Sequence, residues 1–67
     1  MSKTPQILTR YNYEKTWRPT REEDAVTIIK EEIGDADPEG TWQYVKAEIL
    51  KGRTISVGDC SFKIEGA

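Results

Sequence analysis

Over residues 7–13 the side chains alternate. Ile7, Thr9, Tyr11 and Tyr13 fall on one side, and Leu8, Arg10 and Asn12 on the other, with Glu14 continuing the second series. A period of two in β-branched and aromatic residues predicts a half-buried strand. Trp17 continues the odd series, and Arg18-Pro19 breaks it. The period then changes. Ala25, Val26, Ile29 and Ile33 share one helical stripe with Ile28 at its flank, while Glu23, Asp24, Thr27, Lys30 and Glu31 take the solvated face. Thr20-Arg21-Glu22-Glu23 has the form of a capping box, in which Thr20 accepts from a free amide and Glu23 reaches back. Together with the stop at Gly34, this predicts a helix over residues 21–33.

A second helix begins at Asp37-Pro38, with an acid as cap and proline at the first helical position, where no amide is missed. Trp42, Val45 and Ile49 form its apolar stripe, Leu50 lies further round beyond Lys46, and Gly52 ends it. Ile55 and Val57 then alternate with Thr54 and Ser56, and Cys60, Phe62 and Ile64 with Ser61, Lys63 and Glu65. Gly58-Asp59 between them suits a two-residue hairpin turn, glycine supplying the positive φ. That turn sets Val57 opposite Cys60 and Ile55 opposite Phe62, the register that gathers the apolar residues on one face.

The expected fold class is α+β in the order β-α-α-β-β: two helices packed on a small antiparallel sheet with a C-terminal β-hairpin. The expected core is Tyr11, Val26, Ile29, Ile33, Trp42, Val45, Ile49, Ile55, Val57, Phe62 and Ile64. The first strand either joins the hairpin's sheet or forms an arm that pairs with a second copy. Residues 1–5 read as a loose N-terminal tail and residues 6–66 as a single small domain.

With 67 residues, the chain has room for one domain and buries only roughly 60% of its unfolded surface. No stretch approaches a membrane span or a signal peptide, and Cys60 is the only cysteine. A lone thiol fits a reducing compartment, so a cytoplasmic location is expected. Histidine is absent, which removes the commonest general base and zinc ligand. The net charge of −2 conceals an uneven distribution. Residues 1–21 hold five bases and one acid, residues 22–39 eight acids and one base, and residues 40–67 four bases and three acids.

Asp35-Ala36-Asp37-Pro38-Glu39-Gly40 places acids and glycine as a calcium loop begins, but the position that needs a bidentate glutamate is Lys46. An acidic turn with a capping aspartate accounts for every residue. Cys60 falls on the apolar side of a strand, where a thiol behaves as a small hydrophobe. No phosphate loop, nucleophile motif or metal-ligand spacing is present. No enzyme activity, cofactor or metal is therefore expected.

Two surfaces remain. In the first, aromatic and basic residues interleave, and Arg10, Lys15, Trp17, Arg18 and Arg21 make a candidate protein-binding surface of the Tyr-, Trp- and Arg-rich kind. The same mixture also suits stacking on bases and gripping phosphate. The second arises from the order helix, turn, helix, hairpin over residues 20–65, which resembles a winged helix-turn-helix in outline, in element order alone. That resemblance implies a DNA-binding regulator, with Gln43, Tyr44, Lys51, Arg53 and Lys63 toward nucleic acid. The leading expectation is a small regulatory or adaptor protein that binds a protein partner, with self-association and nucleic-acid binding as the alternatives.

Overall fold

The computed structural model describes residues 6–65; the expected loose tail over 1–5 lies outside them. The elements run β1 (Ile7–Tyr11), β2 (Arg18–Thr20), α1 (Glu22–Ile33), α2 (Pro38–Ile49), β3 (Ile55–Val57) and β4 (Cys60–Ile64). The strands form one antiparallel sheet in the order β2-β1-β4-β3. This is the expected α+β fold with its C-terminal hairpin, enlarged by one edge strand. The helical pair carries the chain from one sheet edge, β2, to the other, β3. The hairpin then returns β4 to the centre beside β1.

The first strand joins the hairpin's sheet and makes no arm. Ile7 pairs with Ile64, Thr9 with Phe62 and Tyr11 with Cys60. Glu65 N–H donates to the Gln6 carbonyl at 2.9 Å just beyond the strands. This register turns the odd residues of β1 and the even residues of β4 toward the helices. The hairpin forms in the expected register, Val57 to Cys60 and Ile55 to Phe62. Gly58 has φ +59°, as a two-residue turn of type II′ demands at its first position. Glu32 of α1 accepts the Asp59 N–H at 2.8 Å, and a Cβ on Gly58 would strike the Glu32 carboxylate.

Ala25, Ile29, Trp42, Val45, Ile49, Val57, Cys60, Phe62 and Ile64 make the core, with Ile7, Tyr11, Val26, Ile28 and Ile55 partly buried against it. The Trp42 and Phe62 rings meet at 6.1 Å with a 51° tilt. Ile33 departs from expectation: it is 37% exposed. It ends α1 just past Glu32, which already sits at the hairpin turn, so the sheet offers no further surface to cover it.

The N-terminus of α1 also differs from the capping-box reading. Residues 18–20 are extended and pair with β1, so the cap position moves to Arg21, which makes no side-chain cap bond. Thr20 Oγ1 donates to the Arg18 carbonyl at 3.2 Å and lies 2.6 Å from Thr9 Oγ1. The Thr9 hydroxyl, in a residue only 1% exposed, is thereby satisfied. Pro19 is accommodated because β2 is an edge strand, where a missing N–H costs the sheet little. Thr20 closes the sheet edge instead of capping the helix.

Asp37 does cap α2. Its Oδ1 accepts the Gly40 N–H at 3.1 Å, Pro38 follows at the first helical position, and its backbone is left-handed at φ 62°. Asp35 pairs instead with Lys30 at 3.5 Å. Glu22 ties the helices together: its Oε2 accepts Trp42 Nε1–H at 3.0 Å and Lys46 Nζ at 2.6 Å.

Asp37→Ala should lower stability by about 1–2 kcal/mol, through the lost cap and an unfavourable left-handed alanine, whereas Asp37→Asn should retain most of it. Urea midpoints measure the difference. The Lys46 ammonium, then the Trp42 indole, hold the Glu22 carboxyl below the usual glutamate range. A depressed folded-state pKa contributes stability that is complete above the unfolded value and is lost as pH falls through the folded one. The stability difference between wild type and Glu22→Gln should therefore be constant near neutrality and shrink below about pH 4. A pH-independent difference would show that the carboxylate's charge contributes nothing.

Candidate functional site

Both helices lie on one face of the sheet, and no described element covers the other. Strand alternation and pairing decide what that open face presents. One row across the strands reads Pro19, Leu8 and Lys63, and the next reads Arg10, Ser61 and Ser56. Trp17, just before β2, extends the second row beside Arg10. Its ring lies 5.4 Å from the Arg10 guanidinium carbon and 4.5 Å from Lys63 Nζ, both within cation–π range. Trp17 is half-buried, while Ser61 is only 8% exposed although it faces away from the helices. The side chains laid over the sheet thus form a thin second layer.

The hydrogen bonds beneath this layer fix its posture. Arg10 donates from Nη1 to the Glu14 carbonyl at 2.7 Å, and Glu14 Oε1 accepts the Tyr11 N–H at 3.0 Å. The same carboxylate oxygen pairs with Arg18 at 3.4 Å. Asn12 N–H donates to the Asp59 carbonyl at 2.9 Å, tying the β1–β2 connection to the hairpin turn. Ser56 and Ser61 share a hydroxyl hydrogen bond of 3.0 Å.

Ion pairing separates this face from the rest of the surface. Arg18, Arg21, Lys30, Lys46, Lys51 and Arg53 each have a carboxylate within 4.0 Å. Among the described residues, Arg10, Lys15 and Lys63 have no ion-pair partner. Two of these flank Trp17, and the third precedes it by two residues.

The sheet divides the first candidate surface. Arg10 and Trp17 share the open face, and Lys15 is exposed in the connection leading to it. Arg18 points the other way, over the Tyr11 ring at 5.7 Å, and Arg21 sits at the start of α1 beside Glu23. The second set is also dispersed. Gln43 and Tyr44 are exposed on α2, Tyr44 at 61%. Lys51 and Arg53 both bind Glu48, at 3.3 and 2.8 Å, and the Lys51 ammonium leads in holding that carboxyl below its usual range. Lys63 lies on the opposite side of the sheet from α2. The hairpin is built into the sheet, with β4 between β1 and β3, so it does not stand apart as a wing.

Sequence reasoning did not join Lys63 to Trp17. The signal was present in the outward series Ser61, Lys63, but using it required knowing that β4 lies beside β1. Leu8 and Pro19 come together on the face through the pairing of β1 with β2. Elsewhere, Cys60 is fully buried, and desolvation pushes its thiol pKa up, which suppresses the thiolate. No family model matches the chain, and comparison with the curated proteins and with the solved structures found no match.

Proposed function

We propose that the protein is a small non-catalytic adaptor or regulator that works by binding a protein partner on its open sheet face. The observation that carries this reading is Trp17, half-buried on an uncovered sheet and flanked by Arg10 and Lys63. Tryptophan and arginine recur at the energetic centres of protein interfaces because they bring large area and directed polar contacts together. Leu8 and Pro19 add apolar surface in the adjoining row. The other prominent groups have structural work: Glu22 links the helices, Asp37 caps, Glu32 holds the hairpin turn and Cys60 fills the core. A single thiol with no cysteine to pair with suits a reducing cytosol, and no helix among the described residues is long and apolar enough to cross a membrane.

A photo-crosslinking residue at Leu8 should capture a specific protein in cells that express the chain, and Trp17→Ala should abolish that capture without unfolding the domain. The same crosslinker at Tyr44 should capture nothing. Capture from Tyr44 alone would move the binding surface to α2 and overturn the assignment.

A further inference from the structure

We infer that the open face takes an acidic, extended segment of a partner protein, its carboxylates on Arg10 and Lys63 and an apolar side chain against Trp17. This rests on the reading of the open face as the binding surface and names the chemistry that would occupy it. The argument begins with charge. Every described cation outside this region has a carboxylate partner within the chain, including pairs as exposed as Arg21 with Glu23. Arg10 and Lys63 do not, and they are fixed beside one ring instead of dispersed in solvent. A guanidinium and an ammonium held in place and lacking a counter-charge complement a carboxylate, to which they donate charge-assisted hydrogen bonds.

The shape of the face agrees. Its two rows run across the strands, with apolar Pro19 and Leu8 ahead of Lys63 in one, and Trp17 beside Arg10 in the other. Side chains on one side of an extended peptide recur about every 7 Å, the spacing of alternate residues along β1 and β4. A segment in which acidic and apolar residues alternate at every second position, and so lie on one side of the strand, can therefore meet cations and apolar surface in turn. Ser56 and Ser61 satisfy each other, so covering them strands no hydroxyl.

A single-stranded nucleic acid fits less well. Binding of that kind needs successive aromatic platforms, and Trp17 is the only aromatic residue in these rows. Tyr11 turns toward the helices and stacks with Tyr13 at 5.4 Å. The acidic first turn of α1 begins two residues beyond Thr20 and would repel a phosphate backbone carried past β2. A second copy could offer the acidic outer face of α1, but that contact joins unlike surfaces and propagates into a chain of copies unless it closes a ring.

The test is a ¹⁵N-HSQC titration with three probes: a short peptide in which glutamate and leucine alternate at every second position with serine between them, the same peptide with glutamine for glutamate, and oligothymidylate. The acidic peptide should shift Leu8, Arg10, Ser61, Lys63 and the Trp17 indole N–H. Its affinity should fall about tenfold or more, equivalent to about 1.4 kcal/mol, in Lys63→Glu. The milder Lys63→Gln should give a smaller loss and serves if the reversal unfolds the domain. Equal binding of the glutamine peptide at the same amides would overturn the acidic specificity while leaving the open face as a protein site. Shifts with oligothymidylate alone, or peptide shifts confined to α2, would overturn both. No shifts with any probe would overturn the acidic-segment inference. Concentration-dependent self-association lost in Lys63→Glu would replace the separate partner with a second copy.

Discussion

The pairing of β1 with β4 joins the first and last described strands at the centre of the sheet, and the remaining architecture follows from it. Hydrogen bonds alone do not fix its register. Ile7, Thr9 and Tyr11 oppose Ile64, Phe62 and Cys60, and a slip by one residue would flip one strand against the other, turning either Arg10 into the core or Lys63 into the core and Phe62 into solvent. Burying an unpaired charge is costly enough to exclude either alternative. With the register set, β2 and β3 are left as edges, and the helices must bridge them on the side where Phe62 and Thr9 point.

The same constraint creates the open face. Covering one sheet face with α1 and α2 leaves the other to whatever side chains alternation delivers there. In this chain it delivers two cations from the central strands and one indole from the connection before β2. Neither cation is near the acids that neutralise the others, because those acids belong to α1, α2 and their connections, largely on the far side of the sheet. Glu14 is the exception, and its carboxylate already serves Tyr11 N–H and Arg18. The charge asymmetry of the linear sequence thus becomes an asymmetry between the two faces of the domain.

Some side chains take roles that their local sequence context misassigns. Thr20 stands where a helix cap would stand, yet its hydroxyl completes the Thr9 pair because extended backbone at 18–20 places it in the sheet. A buried threonine in a central strand needs such a partner, and satisfying it outweighs a cap on an exposed helix end. Ile33 continues an apolar stripe but overhangs the sheet, so its periodicity is not matched by burial.

By itself the sequence determined the two helices, the Asp37 cap with Pro38, the Gly58-Asp59 turn and the hairpin register. Each is encoded within a few residues by a period, a cap or a required φ. It determined most of the core as well, because alternation marks one face of each element. Only the tertiary structure decided that β1 lies beside β4, that residues 18–20 form an edge strand, and that Lys63 meets Trp17 and Arg10. Those contacts join residues distant along the chain, and no local pattern specifies which strand is whose neighbour. Two of the groups at the surface, Arg10 and Lys63, are therefore recognisable individually as outward positions of their strands, while their grouping around Trp17 is a property of the fold.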